Sequence, residues 1–184
     1  MKHYLRTDIS YALIHLTGKR RTTNAKDALI SILSEVKIRA SDNSGYIKGK
    51  HRAACFTEMP LSSLSAFVDY SIKTNHPYEY YGIALSKESG WERGTRPVIY
   101  LPDDEACWIP EEEKWRHVRF EYGETDFSHE REWRSKGDFN LDDIGFYVIV
   151  PDFEQESEIR QKLTEISLKN ILGFLHMDIL REFI

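Results

Sequence analysis

Residues 129–134, His-Glu-Arg-Glu-Trp-Arg, bring acids, bases and an aromatic ring together in six positions. Their alternation predicts a strand, in which Glu130, Glu132 and Arg134 share one face and Trp133 anchors the other face in the core. Two carboxylates on one face repel each other, so burying both is costly. We therefore expect them to border a solvent-filled groove, where a carboxylate can act as a base or stabilise positive charge. The alternative is an edge strand with weak cross-strand ion pairs.

A second polar group ends an apolar stretch near the N-terminus. Residues 11–17, Tyr-Ala-Leu-Ile-His-Leu-Thr, predict a buried strand in which His15 and Thr17 face the same way. Both side chains can donate and accept hydrogen bonds, and Gly18 leaves room for a ligand to approach the backbone. The alternative is a half-buried histidine at a strand end that binds no ligand.

A basic loop, residues 48–52 (Lys-Gly-Lys-His-Arg), precedes another predicted strand. Arg52 lies closest to that strand, and a guanidinium can form two parallel hydrogen bonds with a pyrophosphate. Lys48 and Lys50 are close enough in sequence to bind the same anion. The alternative is a solvated basic loop, which fits Lys50 better than Arg52.

The elements that must position these groups indicate the α+β class. Strands outnumber helices in the second half, which favours a mixed or largely antiparallel sheet with a few flanking helices. Helical periodicity predicts helices over residues 24–36, 60–72, 153–166 and 178–184. Strand patterns cover residues 11–17, 37–41, 53–58, 80–85, 97–101, 129–134, 146–150 and 168–174.

Length and composition indicate a single soluble, globular domain over residues 1–184. Apolar residues make up 41% and charged residues 30% of the 184 positions. No apolar run approaches the roughly 18–20 residues that a bilayer requires, and the first ten residues lack a signal-peptide core. The two cysteines form no CxxC pair, so we expect a reduced, cytoplasmic protein with no zinc site.

Charge is unevenly distributed along the chain. Residues 1–52 carry 11 Lys+Arg and 4 Asp+Glu, whereas residues 53–184 carry 14 and 26, within a net charge of −5. A basic N-terminal third can meet the phosphates of a dinucleotide or a nucleic acid. Alternatively, the two parts pack together and neutralise each other.

The order of these motifs carries a family resemblance. The His-x-Thr strand end, the basic loop leading into CFTEMPLSSL, the stretch YYGIALSKESGWERGTRPVIY and HEREWR follow one another between residues 11 and 150. This order resembles the AbiGi-type family of phage-abortive proteins. More broadly it resembles the ADP-ribosyltransferase fold, in the His-x-Thr branch that includes the DarT-type transferases. The chain has no Ser-Thr-Ser middle motif, which fits that branch.

The resemblance implies NAD as the substrate and a split, mixed or antiparallel sheet around it. It assigns the NAD ribose to His15, with Thr17 and Gly18 beside it, and the phosphates to Arg52. An aromatic ring usually stacks on the nicotinamide, and Phe56 and Tyr81 are both candidates.

The resemblance also assigns the catalytic groups. Loss of nicotinamide builds positive charge on a ribose carbon, as in glycoside cleavage. Glu132 would stabilise that charge near the 2′-hydroxyl, Glu130 would act as a base on the acceptor, and Arg52 would assist. The implied activity is mono-ADP-ribosylation of nucleic acid or protein, in anti-phage defence or a toxin–antitoxin pair with a cognate antitoxin.

Two other functions remain open. Pro102-Asp103 followed by Glu112-Glu113-Lys114 imitates the PD…ExK pattern of Mg²⁺-dependent nucleases, although the ExK part falls in a charged run rather than a core strand. The chain can also be a catalytically inactive antitoxin or interaction protein that retains the transferase fold, because a fold alone does not establish activity.

Overall fold

The computed structural model describes residues 6–20, 22–42 and 45–183. The strands are β1 (Ala12–Gly18), β2 (Lys37–Ile38), β3 (Ala53–Thr57), β4 (Tyr78–Ser86), β5 (Arg96–Pro97), β6 (Ile99–Leu101), β7 (His117–Arg119), β8 (Glu132–Lys136), β9 (Phe139–Asn140), β10 (Phe146–Val150) and β11 (Ile171–His176). The helices are α1 (Ala25–Glu35), α2 (Leu61–Lys73), α3 (Lys87–Glu92), α4 (Phe153–Gln161), α5 (Glu165–Leu168) and α6 (Met177–Arg181). Three 3₁₀ turns lie at Glu105–Trp108, Glu111–Arg116 and Ser128–Glu130.

Seven strands form the main sheet in the order β11-β10-β4-β1-β3-β8-β5. Every neighbouring pair in it is antiparallel except β10 with β11, which is parallel. The predicted α+β class, with a mixed and mostly antiparallel sheet and few helices, is confirmed. Among the described residues, no helix combines the length and apolar character needed to cross a membrane.

The two faces of the sheet bury separate cores, because successive strand residues point to opposite sides. Leu13 of β1 belongs to the core beneath α1 and α4, which we call the α1 face. Its neighbour Ile14 belongs to the core beneath α2 and α6, which we call the α2 face. A residue of the sheet can therefore be assigned to a face from its register with β1.

Local signals explain where the first two helices begin. The Asn24 side chain accepts a hydrogen bond from the Asp27 N–H at 2.8 Å, which satisfies one of the amides left unpaired at the start of α1. Pro60 lies immediately before α2, where its missing N–H costs nothing. Both helices match the ranges predicted from the sequence within two residues.

The prediction of a strand over residues 129–134 is wrong in its first half. Ser128–Glu130 form a 3₁₀ turn, Arg131 adopts the left-handed conformation with φ 45°, and β8 begins only at Glu132. Trp133, by contrast, packs against the core of the α1 face as predicted.

Other predicted elements differ in length or number. The helix predicted over 153–166 is divided into α4 and α5, because the chain leaves the helix before Thr164, whose side chain caps α5. The predicted strand 97–101 is divided between β5 and β6, and β6 pairs in parallel with β7, which the sequence did not reveal. The last predicted helix shortens to α6, and residue 184 lies outside the described residues.

Candidate functional site

The register of the central strands places His15 and Glu132 on opposite faces of the sheet. Ile14 pairs with Thr57, and Thr57 pairs with Glu132, so these three residues share the α2 face. His15 lies on the α1 face, where its ring meets that of Phe56 at 5.9 Å. The family resemblance places both His15 and Glu132 around one NAD molecule, but the structure does not bring them together, because the sheet lies between them.

The hydrogen bond of His15 fixes its tautomer. Its Nδ1 lies 2.7 Å from the carbonyl oxygen of Cys55, and a carbonyl only accepts, so Nδ1 carries the proton. Burial lowers the pKa of His15, which keeps the ring neutral and leaves Nε2 as an acceptor. The ring thus joins β1 to β3 just beyond their Ile14–Thr57 pair.

The other residues predicted to surround NAD serve the fold. The buried Thr17 hydroxyl can donate to either of two carbonyl oxygens. That of Ala25 lies 2.8 Å away, and that of Tyr81 lies 3.0 Å away. The next residue, Gly18, approaches the backbone of Pro77 rather than an open site. The proton of the Thr17 hydroxyl is therefore used within the fold, and the side chain is buried.

The two aromatic residues predicted to stack on nicotinamide are both buried. Phe56 packs against Phe139 with ring centroids 5.1 Å apart. The Tyr81 hydroxyl donates to the side-chain oxygen of Gln155 at 2.8 Å. Both rings belong to the core of the α1 face, so neither offers a ring surface to a nicotinamide.

Arg52 lies at the far end of β3 from Glu132. Its guanidinium donates to the Ala40 carbonyl oxygen and lies 3.8 Å from the Asp138 carboxylate. Arg52 lies five positions before Thr57, the partner of Glu132, which is roughly 16 Å at about 3.3 Å per residue. The structure does not bring the predicted catalytic Arg52 to the glutamates.

The basic N-terminal third forms ion pairs with the acidic remainder of the chain. This favours the interpretation that the two parts neutralise each other. The pairs are Lys19–Glu79, Lys26–Glu158, Lys48–Asp103, Lys50–Glu112 and Arg52–Asp138.

Glu132 forms a buried ion pair with Arg134, and both residues lie in β8. The Arg134 Nε donates to one carboxylate oxygen of Glu132 at 2.8 Å, and an Nη donates to the other at 3.0 Å. The Arg134 side chain is 2% exposed and that of Glu132 is 13% exposed. Arg134 also donates to the carbonyl oxygens of Trp115 at 2.8 Å and His117 at 3.2 Å. Arg134 thereby joins β8 to the end of the 3₁₀ turn at Glu111–Arg116 and to the first residue of β7.

Glu130 is the unpaired carboxylate of the two. It is half-buried, and its carboxylate has no hydrogen bond or ion pair within the part of the chain that the structure describes. Burial, followed by the nearby charge of Glu132, raises the pKa of Glu130 above its ordinary value. A carboxyl group perturbed in this way and left without a partner is typical of functional sites.

Two tyrosines lie near Glu130, and a cysteine lies near one of them, Tyr78. The pKa of Tyr78 is raised to about 12, mainly by burial and secondly by the charge of Glu130. The pKa of Tyr100 is also raised to about 12, and burial is again the main cause. The Tyr100 hydroxyl accepts a hydrogen bond from the Glu132 N–H at 3.1 Å. Burial also raises the pKa of the Cys55 thiol, so this thiol stays protonated. We call Glu130, Tyr78, Tyr100 and Cys55 the Glu130 cluster.

Aromatic rings surround the Glu130 cluster. Phe67 of α2 meets Tyr78 at 5.6 Å and His129 at 6.5 Å between ring centroids. The largely exposed Tyr46 meets Phe127 edge-on at 5.4 Å. The surroundings of Glu130 are therefore largely aromatic.

Tyr78 and Tyr100 were not predicted from the sequence. Tyr78 begins β4, and Tyr100 lies on β6, far from Glu130 along the chain. No local motif links them, and only the fold brings their phenols to the glutamates. The exposed Arg20 is a further missed neighbour, because its positive charge acts on both Tyr78 and His15.

The acids of the nuclease-like pattern lie elsewhere. Asp103 and Lys114 line a surface cavity of about 280 Å³, but Lys114 is paired with Glu111 at 2.9 Å. Glu112 lies in a 3₁₀ turn and binds Lys50, His51 and Lys136, which together lower its pKa to about 2. No group of three potential metal ligands occurs in the described ranges.

Comparisons with known protein families, curated proteins and solved structures gave no match to this chain.

Proposed function

We propose that the chain is an NAD-dependent mono-ADP-ribosyltransferase in which Glu130, rather than Glu132, is the working carboxylate. The observation that supports this proposal is the half-buried Glu130 carboxylate, which has no partner among the described residues and lies beside the phenols of Tyr78 and Tyr100. Glu132 is unsuited to the same role because Arg134 binds both of its oxygens.

The reaction breaks the bond between the nicotinamide nitrogen and ribose C1′. Nicotinamide leaves with the electron pair, and the positive charge that develops at C1′ is stabilised by the negative Glu130. A hydroxyl or amino group of the acceptor then attacks C1′, and its proton passes to Glu130. The raised pKa of Glu130 brings it closer to neutrality, which makes it a stronger base than an ordinary carboxylate.

Arg20 replaces Arg52 as the proposed phosphate contact. It is exposed, it follows β1, and its charge acts on Tyr78 within the Glu130 cluster. A guanidinium at that position can bind the pyrophosphate of NAD while the nicotinamide ring packs among the aromatic residues. The acceptor in this proposal is a nucleic acid or a protein, in a defence or toxin–antitoxin setting.

The decisive experiment measures transfer of label from NAD. The purified chain is incubated with NAD labelled in the adenylate moiety and with separate pools of DNA, RNA and protein. We expect Glu130→Gln to abolish transfer. Glu132→Gln should retain measurable activity at temperatures where it remains folded, as checked by circular dichroism. Full activity in Glu130→Gln would refute the assignment.

A second candidate is a catalytically inactive interaction protein, such as an antitoxin with this fold. It is favoured by the use of Thr17, Phe56 and Tyr81 in the core rather than in a ligand site. Calorimetry with NAD separates the two candidates. Absence of heat at millimolar NAD supports the interaction protein, whereas saturable binding that weakens in Arg20→Ala supports the transferase.

A further inference from the structure

The turn that presents Glu130 has an unusual backbone. Arg131, the residue between the two glutamates, has a φ of 45°, which residues with a Cβ rarely adopt. This conformation ends the 3₁₀ turn at Glu130 and starts β8 at Glu132. Such outliers persist only where surrounding contacts hold them, so those contacts determine where Glu130 lies.

Thr57, at the end of β3, makes the shortest of those contacts. Its hydroxyl donates to the Glu130 carbonyl oxygen at 2.5 Å. The same hydroxyl accepts from the Met59 N–H at 3.0 Å, just before α2. One hydroxyl therefore ties the backbone of Glu130 to the start of α2, and only a serine or threonine can supply both contacts at this reach.

Two further contacts hold the residue that follows Glu130. The Glu58 N–H donates to the Arg131 carbonyl oxygen at 3.1 Å. The Arg131 guanidinium lies 3.1 Å from the Asp8 carboxylate, and both side chains are substantially exposed. The exposed ion pair is a weak restraint, since such pairs contribute little. Within the turn, the Glu130 N–H donates to the Phe127 carbonyl oxygen at 3.0 Å. Thr57 is therefore the side chain from outside the turn that bonds to Glu130 itself.

We propose that Thr57 is a positioning residue, whose hydroxyl holds the Glu130 carboxyl in its half-buried place beside the phenols. Its catalytic consequence rests on the proposed function, but the placement of Glu130 does not. Without the hydroxyl, the Glu130 backbone loses its side-chain bond to Thr57, the bond from Glu58 then holds only Arg131, and the Glu130 carboxyl group moves into water.

The pKa of Glu130 reports this placement directly. The charged and titratable groups that act on Glu130 are Glu132, His129 and Arg134, and Glu130 in turn acts on Tyr78 and Tyr100. Burial is the largest of the influences on Glu130. A carboxyl group released into water therefore returns toward its ordinary pKa, whereas general destabilisation of a still-folded protein leaves its pKa unchanged.

The test is an NMR titration of the ¹³C-labelled Glu130 carboxyl group in the wild type, Thr57→Ser and Thr57→Val. Thr74→Val is the matched control, because the Thr74 hydroxyl also donates to a carbonyl oxygen, that of Tyr70 at 2.7 Å, at the exposed end of α2. We expect a raised Glu130 pKa in the wild type, Thr57→Ser and the control, and a fall toward the ordinary value in Thr57→Val. An unchanged pKa in Thr57→Val overturns the proposal.

Two additions keep the outcome decisive. Should Thr57→Val fail to fold, Thr57→Ala removes the same hydroxyl without placing a methyl group against the Met59 N–H, and the same two outcomes apply.

If the wild type transfers ADP-ribose, Thr57→Val should lower kcat about tenfold at unchanged KM, and Thr57→Ser should restore kcat. A wild type without activity but with the expected pKa pattern would remove the proposed function and leave the positioning role intact.

Discussion

Glu130 and Glu132 are two residues apart, yet the same substitution should affect them in opposite ways. Glu132→Gln removes the charge that balances Arg134, whose side chain is 2% exposed. Glutamine can accept only one of the two guanidinium hydrogen bonds that the carboxylate accepts. Glu130→Gln breaks no ion pair and removes a half-buried charge that has no partner among the described residues.

The magnitude for Glu132→Gln follows from the burial of the pair. Breaking one side of a buried ion pair costs about 3–5 kcal/mol of unfolding free energy. Because Glu132 is 13% exposed, we expect about 3 kcal/mol, at the lower end of that range. For a chain of this length, each kcal/mol lowers Tm by about 2–4 °C, which gives a fall of about 6–12 °C.

The expected effect of Glu130→Gln depends on pH. Burial raises the pKa of Glu130 in the folded state, so folding favours the protonated form. Above that raised pKa the wild type carries the cost of a buried charge, and removing the charge leaves stability equal or higher. Below the ordinary pKa of a carboxyl group, Glu130 is protonated in both states, and the advantage of glutamine disappears.

Thermal and urea unfolding of both variants at pH 7 and near pH 3.5 test these expectations. The result that would refute the reasoning is an equal loss of stability in both variants at pH 7, or a greater loss in Glu130→Gln. Either result would mean that the Glu130 carboxylate stabilises the folded state and is not an unbalanced buried charge.

Two other substitutions test packing away from the Glu130 cluster. Thr95 is fully buried and its hydroxyl has no partner in the described ranges, so Thr95→Val should raise the unfolding free energy by about 1 kcal/mol, measured by urea denaturation. A loss in that variant would reveal a hydrogen bond to Thr95. A Cβ at Gly82 would lie 2.4 Å from the carbonyl oxygen of His15 and would displace β1 from β4. Gly82→Ala should therefore lower the free energy of unfolding by about 1–3 kcal/mol. The measurements are a lower Tm and faster amide exchange in β1. A wild-type Tm would contradict that close approach.

Much of the fold was predictable because its strongest signals are local. The Asn24 cap and the apolar spacing that follows it specify α1, and the run at residues 146–150 specifies β10. The division at Thr164 depends on a side-chain cap that competes with continued helix, and periodicity alone does not resolve that competition. The three-residue β7 is too short to carry a pattern of its own.

The candidate site was predicted less well, for a reason visible at Arg131. Alternation places Glu130 and Glu132 on one face only if the residue between them is extended, and Arg131 is left-handed. Glu132 faces away from His15 because Ile14 of β1 pairs with Thr57 of β3. These two residues are 43 positions apart, and no local sequence pattern predicts the register between such distant segments. Family resemblance alone could not show which glutamate is paired, because strand alternation places Arg134 on the face of both glutamates and only the structure shows that it binds Glu132.

The order of strands in the main sheet has a consequence for synthesis on the ribosome. β1 lies at the centre, β3 and β4 take its two sides, and β8 and β10 then extend those sides, before β11 completes one edge. Apart from β5, the sheet grows outward from its middle as the chain emerges. Until residue 150 has left the ribosome, β4 presents an unpaired edge that includes the apolar stretch from Tyr80 to Leu85. Chaperone dependence, if the chain shows any, should therefore be greatest for nascent chains that end between β4 and β10.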